Sequence, residues 1–226
     1  STLEVSVSGV ADTPTLSVDA AIGIEDSAIT LDITSALSDA DGSEALSLTV
    51  SGIPDGATLS AGTLNADGSV TLTPDQLDGL TITPPSDSSA DFNLTVTATS
   101  SENGTTATTS STLEVSVSGV ADTPTLAVSS STGAEDSAIA LDITSALSDT
   151  DGSETLSLTV TGIPDGATLS AGTLNADGSV TLTPDQLDGL TITPPADFNG
   201  TFSIQIKAVS TELDTVTARR AHPALS

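Results

Sequence analysis

The chain has 226 residues, no cysteine, and a net charge of −28 from 31 acidic and 3 basic residues. This composition excludes disulfides and thiolate metal sites. It also argues against nucleic acid and anionic membranes as partners, since both are bound through basic surfaces. No apolar stretch approaches the ~20 residues of a membrane span, so direct membrane insertion is not expected. Excess negative charge destabilises a compact state, and divalent cations relieve it by binding carboxylate oxygens.

The sequence consists of two copies of one unit. Ser1–Leu16 returns as Ser111–Leu126 and Gly52–Pro85 returns as Gly162–Pro195, which sets a period of 110 residues. A unit of this length is a domain rather than a solenoid turn. We predict that residues 1–10 form the closing strand of a preceding repeat, or an orphan N-terminal strand. Domain 1 then covers 11–119 and domain 2 covers 120–226, with a divergent tail from about residue 214.

Alternating apolar and polar residues predict half-buried antiparallel strands along the chain. In chain order these are Leu3–Val7, Leu46–Val50, Val70–Leu72, Leu80–Ile82, Leu94–Ala98 and Phe202–Ile206. Between them, Asn65–Gly68 and its copy at Asn175 are typical of hairpin turns, and Pro74–Leu77 of a single helical turn. Short strands at regular spacing, with no long helix, indicate antiparallel β-sandwich domains. The end of the second repeat aligns with the first only if four residues near Ser86–Asp91 are left out.

An acidic loop is the sharpest motif. Ser38–Glu44 reads SDADGSE and recurs as Ser148–Glu154, SDTDGSE. Alternate carboxylates in an extended loop direct oxygens toward one centre, as in calcium loops, although the spacing is not a full EF-hand. A solvated β-turn is the alternative interpretation. The candidate ligands in these loops are Asp39, Asp41, Glu44, Asp149, Asp151 and Glu154.

Further carboxylates recur at matched positions. Two are adjacent acid pairs, in which the charges repel unless a cation or solvent screens them. Others lie in the linkers or follow an apolar leucine. The additional candidate calcium ligands are Asp12, Glu25, Asp26, Asp78, Asp122, Glu135, Asp136 and Asp188.

The order of these motifs resembles the cadherin-like repeats of calcium-dependent bacterial adhesins. The matching parts are the Asp39/Asp41 loop, Leu77-Asp78, the strand Leu94–Ala98, and Val5–Val7 leading to Asp12 and Pro14. The chain departs from that pattern at Gly79-Leu80, where Arg-Glu is usual, and at Ser100, where an Asp is expected. The amino-acid sequence of the repeat is also similar to extender modules of giant RTX adhesins exported by type I secretion, and to the two-domain rhizobial Rap autoaggregation proteins. The glycine-rich RTX nonapeptide itself is absent.

The resemblance implies two tandem cadherin-like or Ig-like sandwiches in an elongated rod. It places Glu25, Asp26 and Asp78 at the bottom of domain 1 and Asp149 and Asp151 at the top of domain 2, with Asp122 between them as part of a calcium site. It further implies a bacterial protein that is secreted to the cell surface or the extracellular space, and that binds acidic exopolysaccharide through calcium. The alternative is a passive, calcium-stiffened extender with no ligand of its own.

An enzyme is not expected. The chain has no cysteine and a single histidine, His222 near its end, so Ser–His and Cys–His nucleophilic sites are not built here. We expect a monomer. Head-to-tail strand exchange through residues 1–10 is the alternative, because an open sheet edge accepts a strand.

Overall fold

The computed structural model describes residues 1–39 and 41–213, and the chain divides into two compact units, Ser1–Gly119 (unit 1) and Val120–Ser226 (unit 2). The regular secondary structure of both units is β-strand apart from two 3-10 turns among the described residues, which confirms the predicted all-β fold class. Among the described residues, no helix has the length and hydropathy that crossing a membrane requires. The predicted tail from about residue 214 and His222 lie outside the described residues.

Unit 1 is a sandwich of three sheets around one core. Its strands are β1 Thr15–Val18, β2 Ala21–Ile24, β3 Ile29–Thr30, β4 Ile33–Ala36, β5 Ala45–Ser51, β6 Thr58–Leu59, β7 Thr63–Leu64, β8 Val70–Leu72, β9 Thr81–Thr83, β10 Phe92–Glu102 and β11 Thr105–Ser118. The largest sheet has the order β2-β11-β10-β5-β8-β7. The small sheets β1-β4 and β3-β9-β6 contribute to the same core. All neighbours are antiparallel except β2 and β11, which run parallel.

The core of unit 1 follows directly from the alternation in the sequence. In β10, Leu94, Val96 and Ala98 are fully buried, whereas Asn93 and Thr95, at alternate positions, face solvent. Side chains on a strand point to opposite faces in turn, so this pattern gives the sheet one apolar face. Each fully buried Leu, Ile or Val side chain contributes about 1.5–3 kcal/mol relative to its exposed state. With three Phe as its only aromatic residues, the chain builds this core from Leu, Ile, Val and Ala.

Unit 2 repeats this plan with a narrower main sheet. Its strands are β12 Thr125–Val128, β13 Ile139–Ala140, β14 Ile143–Ala146, β15 Glu154–Thr161, β16 Thr168–Leu169, β17 Thr173–Leu174, β18 Val180–Leu182, β19 Thr191–Thr193 and β20 Gln205–Glu212. Among the described residues the main sheet has the order β17-β18-β15-β20, and the smaller sheets are β13-β19-β16 and β12-β14. β20 begins at Gln205, later than the predicted start at Phe202.

The predicted turns are confirmed. The Asn65 amide donates to the Ser69 carbonyl at 2.8 Å and closes the hairpin between β7 and β8. Gly68, at φ 84°, adopts the left-handed conformation that this turn requires. The helical turn is a 3-10 turn over Pro74–Gln76, and a second copy lies at Pro184–Gln186.

The strand predicted for Leu3–Val7 is wrong. Residues 1–10 carry no strand in the structure, although the identical sequence at 111–118 lies within β11. A strand is held by the ladder of a neighbour, and β11 has β10 on one side and β2 on the other. Within the described part of the chain, residues 1–8 have no such neighbour.

The four-residue gap in the alignment is also wrong. Val96 pairs with Val50 in unit 1, and Ile206 pairs with Val160 in unit 2. Each residue of the second pair lies one period of 110 residues after its counterpart in the first pair. The two repeats therefore align without a gap to the end of β20.

Candidate metal centre

The acidic loops fold into successive turns that are capped by their own carboxylates. In unit 2, Asp149 Oδ1 accepts the Asp151 amide at 2.7 Å, and Asp151 Oδ1 accepts the Ser153 amide at 2.7 Å. In unit 1 the Asp41 amide donates to Asp39 in the same way, at 3.0 Å. Aspartate favours such turns because its side chain bonds the backbone two residues on. The loop therefore fixes the carboxylates in place.

The loop in unit 2 brings Asp149 beside a glutamate from the last strand. Carboxylate oxygens of Asp149 and Glu212 lie within 4.8 Å of each other. The Ser153 hydroxyl lies 3.3 Å from an oxygen of each, so the two carboxylates share its single proton. Asp149 is 1% exposed and so held largely out of water. Two like charges at this separation are unfavourable without a counter-charge.

Glu154 adds a third carboxylate to this cluster. It stands directly opposite Glu212 in the pairing of β15 with β20, and opposed like charges destabilise a sheet. Glu154 is 6% exposed. Its Oε1 accepts the amide of Asp122, whereas Oε2 is buried and has no hydrogen-bond partner. A buried carboxylate oxygen without a partner is costly unless a cation binds it.

The electrostatics of Glu212 agree with this geometry. Burial raises the pKa of its carboxyl above the ordinary value of 4.5, the Ser153 hydrogen bond opposes that rise, and the charges of Asp151, Glu154 and Asp149 add to it. Lys207, the one basic side chain in the described residues, lies five residues earlier on β20. At ~3.4 Å per residue it is about 17 Å away along the strand, too far to neutralise the cluster.

Unit 1 repeats the contacts of the glutamate that begins the strand after the loop. Glu44 Oε1 accepts the Asp12 amide, and Glu44 Oε2 is buried with no hydrogen-bond partner. The Ser100 hydroxyl donates to the Asp12 carbonyl. Ser101 pairs with Ala45, so the register places Glu102 opposite Glu44. We call these two groups the Glu44 cluster (Asp12, Asp39, Asp41, Glu44, Glu102) and the Glu154 cluster (Asp122, Asp149, Asp151, Glu154, Glu212).

A separate acidic pair lies elsewhere in each unit. The Asp87 amide donates to Asp26 Oδ1 at 3.1 Å, and carboxylate oxygens of the two residues approach within 4.8 Å. The Asp197 amide donates to Asp136 Oδ1 at 3.0 Å in unit 2. All four residues have positive φ, a conformation that aspartate tolerates better than most residues. Of the neighbouring glutamates, Glu25 is buried and Glu135 is exposed.

Asp78 and Asp188 lie in exposed turns that follow the 3-10 segments. Asp78 lines a shallow cleft together with residues 30–35, 74, 77 and 79. Their role as ligands stays a prediction.

Sequence reasoning missed four carboxylates: Glu102, Glu212, Asp87 and Asp197. The first two end strands that pair with the strand after the acidic loop, and uninterrupted use of the period would have aligned them with each other. Their approach to the loop depends on strand pairing between segments about 60 residues apart, which one sequence does not show.

Comparison with known protein families and with curated proteins finds no match to this chain. The chemistry of the clusters therefore has to be judged from their donor set. Carboxylate, hydroxyl and backbone carbonyl oxygens are the ligands of hard cations such as Ca²⁺ and Mg²⁺, and neither cluster offers sulfur or imidazole.

Proposed function

We propose that the chain is a secreted, extracellular or cell-surface bacterial adhesion protein whose β-sandwich units bind Ca²⁺ through the Glu44 and Glu154 clusters and recognise acidic exopolysaccharide through that calcium. One observation carries the proposal. Each cluster holds a buried glutamate oxygen that has no hydrogen-bond partner, Glu44 Oε2 or Glu154 Oε2, among other carboxylates. A bound cation supplies the partner that this oxygen lacks.

Calcium is favoured over magnesium by the kind of ligands available. Ca²⁺ accepts six to eight oxygens in flexible geometry, including carboxylates, carbonyls and water, whereas Mg²⁺ demands near-octahedral geometry and keeps several waters. The Glu154 cluster brings carboxylates from a loop and two strand ends together, which suits an irregular coordination shell.

Recognition of a polysaccharide has to overcome charge repulsion. The chain carries a net charge of −28 and has no Trp or Tyr to stack on a sugar ring. A calcium ion that binds both protein carboxylates and the carboxylates of a uronic acid would bridge the protein to the polysaccharide. We assign no catalytic activity to the chain. Unit 2 has an apolar cleft bordered by β13, β14, β19 and residues 200–206, and its lining contains a single carboxylate, Asp142, whereas glycoside hydrolysis requires a facing pair.

The alternative is an extender that binds calcium only to stiffen itself. It is favoured by the near-identity of the two repeats, since a spacer needs no difference between its units. Both functions require the clusters to bind calcium, and only the adhesion protein requires a glycan.

The test has two stages. Calorimetric titration with Ca²⁺ to about 5 mM covers the ~10⁻⁴–10⁻³ M range of extracellular calcium modules. We expect saturable binding, weakened by Glu154→Gln and unaffected by Asp165→Asn, which removes the same charge from an exposed turn. A chain that binds no calcium in this range refutes the proposal.

The second stage adds an acidic exopolysaccharide to the calcium-loaded chain, with and without EDTA. Binding that EDTA abolishes supports the adhesion protein. Calcium binding with no glycan binding in either condition supports the extender.

A further inference from the structure

Unit 2 contains an apolar cleft beside β20. The cleft has a volume of about 620 Å³ and is bordered by β13, β14, β19 and residues 200–206. Its apolar walls include Ile139, Leu141, Ile143, Ile192, Phe202 and Ile204. Side chains of this kind normally lie in the core of a sandwich, so the cleft marks a missing part of the core.

In unit 1 the corresponding space is filled by a strand. β11 runs antiparallel beside β10 from the Phe92–Val115 pair to the Glu102–Thr105 pair. Leu113, Val115 and Val117 of β11 are buried in the core. β20 corresponds to β10, yet among the described residues it pairs only with β15. Within residues 1–39 and 41–213, no strand lies along its other edge.

The open edge changes the burial of equivalent side chains. Leu31 in unit 1 is 2% exposed, whereas Leu141, the same residue one period later, is partly exposed. Ile29 is buried and Ile139 partly exposed. Because these are identical residue types in equivalent places, the difference comes from what covers them and not from their own chemistry. Unit 1 has β11 and β2 beyond β10, and the described part of unit 2 has no strand beyond β20.

The sequence of that covering strand occurs once more in the chain. Ser1–Ser8 is identical to 111–118 within β11. Its apolar side chains Leu3, Val5 and Val7 are 90%, 75% and 88% exposed. The same three positions are buried in β11. Strand addition requires a donor segment with one apolar face and a sheet edge that accepts it, and the described residues contain both. In strand addition, main-chain hydrogen bonds provide affinity and alternate side chains fill the core.

We propose that residues 1–8 of one copy of the chain add as an antiparallel strand to the open edge of β20 in a second copy and fill its cleft. The register is that of β10 with β11. Leu94 pairs with Leu113 and Phe92 with Val115, so Leu3 pairs with Ile204 and Val5 with Phe202. Each copy offers one donor segment and one acceptor edge, so the contact is heterologous and continues from copy to copy.

A second copy is favoured as the donor by where the segment is held. Gly9 lies against Glu102, and the Ala11 amide donates to Thr105 at 2.9 Å, both at one end of the β10–β11 hairpin. Ser118 leaves unit 1 beside the opposite end of β10, about 34 Å away at ~3.4 Å per residue. Eight extended residues span at most about 29 Å. The segment does not reach back even to the point where its own chain leaves unit 1.

Light scattering on the full chain tests the assembly. In about 0.15 M salt, which screens the acidic surfaces over ~8 Å, the weight-average mass should rise with protein concentration to at least twice the monomer mass of 22.2 kDa. Val5→Asp should keep the chain monomeric. Thr2→Asp and Ser8→Asp add the same charge at positions whose counterparts in β11 face solvent, and should leave assembly intact. A chain that stays monomeric, or that assembles equally well with Val5→Asp, overturns the proposal.

Disulfide trapping tests the register and the donor. The chain has no cysteine, so Thr2→Cys with Gln205→Cys introduces a single cysteine pair, at positions that the register places directly opposite each other. Paired residues are about 4.5–5.5 Å apart at Cα, within the range of a disulfide. Oxidation should give a ladder of linked chains, and Thr2→Cys alone should stop at dimers. A linked monomer would show self-insertion, and no link would show that another segment covers the edge; either result overturns the proposal.

Discussion

Glu212→Gln should stabilise the calcium-free chain and destabilise the calcium-loaded one. The substitution keeps the shape of the side chain and an oxygen that accepts from Ser153. It removes one negative charge from a cluster that also holds Asp149, Asp151 and Glu154. Without calcium that charge is repelled by its neighbours, and with calcium it is a candidate ligand. The sign of the effect should therefore reverse between the two conditions.

The magnitude follows from the separation of the nearest pair. Oxygens of Asp149 and Glu212 lie within 4.8 Å. Two unit charges at that distance repel by about 0.9 kcal/mol in bulk water and by about 3.5 kcal/mol at an effective dielectric constant of 20. Glu212 is partly exposed, so we expect a gain of about 1–2 kcal/mol in EDTA. For a unit of this size, each kcal/mol raises the melting temperature by about 4–8 °C.

With calcium at about 100 times its Kd, binding stabilises the wild-type chain by about 2.7 kcal/mol. Loss of this term outweighs the relief of repulsion, so Glu212→Gln should melt below the wild type. Differential scanning calorimetry in EDTA and in calcium measures both values, with Asp165→Asn as the charge-matched control. If Glu212→Gln melts below the wild type in EDTA as well, the carboxylates do not repel one another and the reasoning is refuted.

Two further predictions concern pH and packing. In EDTA the melting temperature should rise as pH falls from 7 toward 4.5, because the raised pKa of Glu212 makes its ionisation in the folded chain unfavourable. Glu212→Gln should reduce that rise. A melting temperature that does not change with pH in this range contradicts the prediction. Below pH 3.8 the melting temperature should fall again. Hydrogen bonds from nearby serines lower the pKa of three aspartates, and the stabilisation that these bonds give is lost when the aspartates are protonated. The pairs are Ser43 with Asp41, Ser69 with Asp67, and Ser179 with Asp177. In the Val5→Asp background, where the chain should stay monomeric, Leu31→Ala should cost about 2–5 kcal/mol in urea unfolding. Leu141→Ala, the same change at the uncovered edge, should cost clearly less, and equal losses would mean that a segment of the same chain fills the cleft.

The fold was predictable where burial follows from local alternation. β5, β8, β9 and β10 lie where the period-two pattern placed them, and the Asn65–Ser69 turn is a hairpin as its sequence predicts. The pattern failed at residues 1–8. Identical residues form a strand at 111–118, so the outcome there is decided by whether a neighbouring edge is available and not by propensity.

The candidate site was predictable in its loops but not in its full membership. Asp149 and Glu154 are close in sequence, and the Asp–Gly turn between them indicates that both belong to one loop. Glu212 comes from a strand whose register is set by long-range pairing, and its closeness to the loop is a tertiary fact. The orphaned Glu154 Oε2 is likewise visible only when the surroundings of the side chain are known.

The parallel pairing of β2 with β11 determines how unit 1 responds to a pulling force. β2 belongs to the start of the unit and β11 ends it, and four residue pairs join them, from Val115–Ala21 to Ser118–Ile24. Tension between the two ends of unit 1 would slide these strands along each other, so their hydrogen bonds share the load and must rupture together. Antiparallel strands pulled apart from one end would instead open bond by bond at lower force. Unit 1 would therefore stay folded at loads that peel open a sheet lacking this pair of parallel strands.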